Sequence, residues 1–110
     1  MDMEEMLAQA QKAAETIQKQ MNETQAKLDQ LEVEGLSGGG LVKIRCTAKG
    51  RVIGVSIDHS LLQPSEKGML EDLVAAAYND ARVKSDSVAN EEMAKAQQGM
   101  GLPPGFKMPF

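Results

Sequence analysis

The 110-residue chain is poor in the residues from which most active sites are built: it has one cysteine, Cys46, one histidine, His59, and no tryptophan. A single cysteine excludes an intramolecular disulfide, and one Cys with one His leaves almost nothing for a Cys/His metal site or a histidine-paired nucleophile. The adjacent acids Glu4-Glu5, Glu71-Asp72 and Glu91-Glu92 lie in helical segments, where neighbours in sequence point in different directions, so they read as solvated faces rather than paired catalytic carboxylates. His59 follows a strand with no second catalytic group in view and reads as a loop residue. Neither an enzyme nor a cofactor, metal or small-molecule substrate is expected. One tyrosine and two phenylalanines are too few for a surface that stacks unpaired bases. No run has the length and apolar density of a membrane span, and no secretory signal pattern is present, so a cytoplasmic location is expected. The formal charge of −4 excludes a simple polycation that coats nucleic acid by bulk attraction.

What the chain does have is helix. Apolar or small residues recur at steps of three and four through Leu7, Ala10, Ala14, Ile17, Met21, Thr24, Leu28 and Leu31, a heptad seam that wants cover along its length. Asp2, Glu4 and Glu5 favour a helix start near Asp2, and the helix should end before Gly35. Roughly 30 helical residues span about 45 Å, whereas strands of about eight residues cover about 26 Å. Part of the seam can pack on the chain's own sheet, but the helix must overhang it, and a bare apolar seam points to a dimer.

Gly38-Gly39-Gly40 lacks the Gly-Lys-Ser/Thr and the following helix of a phosphate loop, so it reads as a strand connection or bulge. Next comes a hairpin. With Lys49-Gly50 as a two-residue turn, Cys46 faces Ile53, Ile44 faces Val55 and Val42 faces Ile57, which puts all three apolar pairs on one face. The other face carries Thr47 with Val52, Arg45 with Gly54 and Lys43 with Ser56. Lys is less natural than Asn or Asp at the first turn position, so a bulged turn is the alternative. Cys46 then reads as a small core hydrophobe.

After Gln63-Pro64, Ser65 is placed to cap a second helix whose stripe of Leu70, Leu73, Val74, Ala77 and Ala81 suits the hairpin's apolar face. Beyond Ala81 the helix turns polar and resembles a second arm. Residues 99–110 hold three of the four prolines and both phenylalanines. They cannot form a continuous helix. With Leu102, Phe106 and Phe110, this tail is expected to dock on the body or on a dimer mate, leaving residues 1–98 as the folded domain.

Three segments coincide with one family pattern: Val33-Glu34-Gly35 through Gly38-Gly39-Gly40-Leu41-Val42-Lys43, then Ile57-Asp58-His59-Ser60-Leu61-Leu62, then Met69 to Ala81 with Asp72-Leu73-Val74-Ala75-Ala76-Ala77-Tyr78-Asn79-Asp80. The tail Leu102-Pro103-Pro104-Gly105-Phe106-Lys107-Met108-Pro109-Phe110 fits it as well. The chain resembles the YbaB/EbfC nucleoid-associated proteins over nearly its whole length; it departs at His59, where the family commonly has Pro. The resemblance implies an α+β fold in which a long N-terminal helix, a small three-stranded antiparallel sheet and a long C-terminal helix form a tweezer-like homodimer. It further implies a bacterial cytoplasmic protein of the nucleoid that binds duplex DNA, alters its conformation and contributes to gene regulation.

The family supplies no short base-reading motif, so the contact candidates rest on charge alone. Residues 41–58 carry four bases and one acid while the flanks are acidic, making the hairpin a basic island. The candidate DNA-binding residues are Lys12 and Lys19 on the first helix, Lys43 and Arg45 on the sheet, and Arg82 and Lys84 on the second helix. A duplex met through phosphates and shape is the expected ligand. The competing reading is an acidic homodimeric protein-interaction module with little direct DNA binding.

Overall fold

The computed structural model describes residues 2–99. Helix α1 (Met3–Gln30) leads into strands β1 (Glu32–Ser37), β2 (Val42–Thr47) and β3 (Val52–Ile57); two short 3₁₀ turns (His59–Leu61 and Pro64–Glu66) then lead into helix α2 (Lys67–Gly99). The sheet is antiparallel in the order β1-β2-β3, so the α+β expectation holds. The apolar tail lies outside the described residues.

Local chemistry sets the ends of these elements. Asp2 Oδ1 accepts the Glu5 N–H at 2.8 Å, which caps α1, and Glu4 and Glu5 complement the dipole in its first turn. At the other end Leu31 is already extended, and α1 passes directly into β1. The three glycines Gly38, Gly39 and Gly40 all take positive φ values, 59°, 70° and 99°, so the β1–β2 connection is a turn that other residues would strain. Ser65 does not cap α2. It sits inside the second 3₁₀ turn, for which Pro64 stands in the first turn and Gln63 holds the cap position without a side-chain hydrogen bond.

The β2–β3 register is the expected one from Val42↔Ile57 to Arg45↔Gly54, but Cys46 pairs with Val52 rather than Ile53. Ile53 is thus an extra residue on β3, a bulge. The cause lies in the turn. Thr47 Oγ1 accepts the N–H groups of Lys49 and Arg51 at 3.2 and 3.3 Å, Gly50 N–H bonds Thr47 O at 2.8 Å, and Gly50 takes φ 89°. That makes a loop longer than two residues.

The core is small. Val42, Ile44, Cys46, Leu61, Ala77 and Ala81 are buried together, with Val33, Leu41, Leu70, Leu73 and Val74 packed around them. The stripe expected on α2 therefore does face the sheet, yet it covers β1 and β2 and leaves β3 uncovered. Val52, Ile53, Val55 and Ile57 remain 42, 37, 53 and 37 % exposed, although Val55 and Ile57 stand opposite the buried Ile44 and Val42. The offset follows from Gly35: a Cβ there would collide with Ala77 O and the Ala81 backbone and side chain, so α2 crosses the sheet directly on β1. Ser37 Oγ donates to Leu73 O (2.6 Å) and Ser85 Oγ to Thr47 O (2.8 Å), fixing α2 across β1 and β2. Cys46 lies in this core, and burial pushes its thiol pKa up, as suits a packing residue rather than a nucleophile.

Both helices overrun the sheet. The hairpin turn is tied to the end of α1, where Ala48 N–H bonds Leu31 O (2.9 Å) and Leu28 O (3.2 Å). From that point α1 and α2 run side by side in opposite directions as one arm. The molecule measures 76 × 22 × 16 Å with a radius of gyration of 20.6 Å, against about 13 Å for a compact chain of this length.

Candidate nucleic-acid interface

The arm is held by packing near its base and by charge further out. Thr24 and Leu28 are buried on α1, and Thr24 Oγ1 bonds Gln20 O at 2.9 Å. Beyond them a cleft of ≈ 290 Å³ is lined by Gln20, Glu23, Thr24, Lys27, Glu92, Lys95 and Ala96. Lys27 bridges Glu92 at 2.8 Å and Lys95 approaches the same carboxylate at 3.4 Å. The Lys27 contact, helped by Lys95, holds the Glu92 pKa below its ordinary value. This ion triad links the two helices where their apolar contact fades.

The structure separates the six sequence candidates into engaged and unengaged cations. Lys84 Nζ donates to Glu34 O at 2.8 Å and pairs with Asp80 at 2.9 Å, so it fastens α2 to β1. Arg82 pairs with Asp86 at 3.2 Å, and its guanidinium lies over Gly50, where a side chain would strike it. Arg45 lies across β3 above Gly54 and reaches Glu32 at 3.6 Å. Lys12, Lys19 and Lys43 are exposed and carry no ion pair among the described residues. These three are the cations best able to exchange counterions for phosphates.

They do not form one patch. Lys12 and Lys19 are seven residues apart, about 10 Å along one face of α1, whereas Lys43 stands at the far end of β2, on the order of 40 Å from Lys12 by helix and strand rise. Glu15 sits between the two arm lysines, and Glu23 follows one turn beyond Lys19, so the stripe alternates in sign. Arg51 is one of the four bases of residues 41–58. It is exposed without an ion pair among the described residues, in the turn at the base of the arm. Its signal in the sequence was its place in the hairpin turn, but the turn's position against α1 comes from Ala48 hydrogen bonds that no local pattern announces.

The described residues hold no cluster of three or more potential metal ligands, and no described helix is long and apolar enough to cross a membrane. A long arm with exposed lysines, set on a small sheet, offers an extended surface for binding. The family described as the YbaB/EbfC DNA-binding family matches residues 1–100. The chain belongs to the YbaB/EbfC DNA-binding family. It is 54% identical over 99 residues to a nucleoid-associated protein of Rickettsia bellii (strain OSU 85-389), covering 90% of this chain and 92% of that one. It is 53% identical over 95 residues to a nucleoid-associated protein of Rhodopseudomonas palustris (strain ATCC BAA-98 / CGA009), covering 86% and 90%. The crystal structure of an uncharacterized protein from Helicobacter pylori shares the fold with a TM-score of 0.67 at 22% identity, over 91% of this chain and 97% of that one. The YbaB/EbfC family is a DNA-binding family rather than an enzyme family.

Proposed function

We propose that the protein binds duplex DNA as a homodimer, alters the conformation of the DNA, and contributes to nucleoid organisation and gene regulation in the bacterial cytoplasm. The observation that carries this reading is the pair Lys12 and Lys19, unbridged on an arm that projects well beyond the core of a DNA-binding family member. A rod that carries spaced cations among acids suits contact with successive phosphates and little base reading. Two such arms set around a duplex would constrain its path, which is how the dimer would change DNA shape.

The bare strand β3 supports the dimer. Its sequence Val52-Ile53-Gly54-Val55-Ser56-Ile57 has no charge and no proline, whereas an edge strand left in water is normally protected by such residues. A second copy offering the same neutral, apolar surface matches it without repulsion, an isologous contact about a two-fold axis.

The test is anisotropy of a labelled duplex titrated across a salt series, with single strand of the same sequence as competitor. Duplex-selective binding should weaken steeply with salt, by about 0.9 log units per phosphate contact per tenfold salt. Lys12→Glu with Lys19→Glu removes four lysines from the dimer and should cost at least about tenfold in affinity at moderate salt and flatten the slope by about 4. Binding that is absent at low salt would sink the DNA reading in favour of a protein-interaction module.

A further inference from the structure

We propose that residues 100–110 of each chain lie along the bare seam of the same chain's α1, covering the outer half of the arm. This goes beyond DNA binding and does not depend on it. From Asp2 to Lys19 every residue of α1 is exposed, including seam residues Leu7 at 63 % and Ile17 at 39 %, with Met3 and Met6 beside them. Cover from α2 ends near Gln20, which shares the interhelical cleft with Ala96. What remains is a stub of about four to five turns, and a helix of that length is marginal in water without packing. An apolar stripe on such a stub needs an occupant.

Chain length and position favour the tail as that occupant. Helix α2 ends at Gly99, less than about 5 Å of helix rise beyond Ala96, and so level with the point where the seam loses cover. From Ile17 to Met3 the seam runs about 21 Å. The eleven residues after Gly99, in the extended form that Pro103, Pro104 and Pro109 favour, reach about 34 Å. Leu102, Phe106 and Phe110 supply apolar groups at intervals along that path, and Ala10 and Ala14 leave a saddle between Leu7 and Ile17 that a ring can fill. Charge agrees as well. The tail has Lys107 and no acid, while residues 2–19 hold four acids and two bases. A tether this short also keeps the tail at millimolar effective concentration beside its own seam, ahead of any partner in free solution.

The experiment is amide hydrogen exchange on the full chain with Leu102→Ser, Phe106→Ser and Phe110→Ser, against the unaltered protein. Exchange over residues 6–17 should rise at least about tenfold while amides of β2 stay unchanged; unchanged exchange over residues 6–17 would overturn the proposal. A second measurement identifies whose tail it is. Isotope-labelled chain is mixed with unlabelled chain that carries a spin label at Lys107→Cys in a Cys46→Ala background, and each species is also labelled alone. Broadening at Leu7 and Ala10 within one chain supports the assignment, and broadening only across chains overturns it. Leu7→Ser, which leaves the tail intact, should abolish the broadening if the seam is the dock.

Discussion

The two edges of the sheet are treated in opposite ways. At β1 two outward backbone groups are occupied: Leu36 N–H donates to Asp80 Oδ2 at 2.9 Å, and Glu34 O accepts from Lys84 Nζ at 2.8 Å. Asp80 and Lys84 are themselves paired one helical turn apart on α2, which crosses β1 at Gly35. At β3 no helix intervenes, the strand carries no charge of its own although the Arg45 guanidinium lies over Gly54, and four apolar side chains stay open. Since an unpaired edge invites another chain, sealing one edge and leaving the other open directs association to a single surface. The pair Asp80/Lys84 thus guards β1 against an added strand, while β3 stays open to the dimer contact proposed above. This is also why Lys84 is a poor choice for a phosphate contact, despite its exposure.

The largest effect is expected where β1 meets α2. Gly35→Val puts a branched side chain into the Ala77 and Ala81 backbone, and no flexible atom is there to yield. The cost should reach about 3 kcal/mol or more, above the usual range for overpacking because backbone must move. Urea unfolding checks it; a midpoint within error of the parent would mean that α2 does not press on β1. Next in size is the open edge. Val55→Asp places a carboxylate in the centre of the β3 strip, where its own mate would face it across a two-fold contact. Dimer affinity should fall at least about 100-fold, close to 2.7 kcal/mol, while the monomer keeps its circular dichroism, since Val55 is already half exposed. Sedimentation over a dilution series reads both. An unchanged dimer would place the interface elsewhere.

The contrast between the edges was only half legible in the sequence. Period-two alternation gave the sheet register as far as Arg45↔Gly54, because buried and exposed faces alternate with chemistry there. It failed at Val52-Ile53, two apolar neighbours that cannot report a one-residue slip, and the slip originates in Thr47 hydroxyl bonds that alternation does not encode. The stripe on α2 was legible too, but a stripe says that a helix covers something and not which strands. The informative residue was Gly35, which marks the close approach of α2 to β1 and which no local pattern singles out. The contact candidates fared by the same rule. Lys12 and Lys19 could be placed on an exposed helix face from periodicity alone, whereas the partners of Lys84 lie up to 50 residues away, beyond the reach of any local pattern.

A smaller effect follows from breaking the β1 seal without touching the core. Asp80→Ala frees the Leu36 N–H and removes the Lys84 ion pair, leaving Lys84 on Glu34 O. Amide exchange at Leu36 should rise on the order of tenfold, the scale of one lost charge-assisted hydrogen bond, with Ile44 unaffected. If Leu36 exchange does not move, the carboxylate is not what seals the strand.

Acid separates the edges without mutation. The Leu36 N–H bond, and after it Lys84, hold the Asp80 pKa below its ordinary 3.8. A carboxylate with a lowered folded-state pKa contributes stability that is fully present above its unfolded value. That contribution fades as pH falls through the lower folded value. The seal on β1 should therefore persist down to about pH 4 and loosen only below 3.8. Strand β3 has no titratable side chain between Val52 and Ile57, so nothing in it changes over that range. Leu36 amide exchange, corrected for the intrinsic acid dependence of exchange, should rise below pH 3.8 in the parent and be insensitive to pH in Asp80→Ala. Parallel curves for the two proteins would mean that the seal is made by the approach of α2 at Gly35 alone, with the Asp80 charge incidental to it.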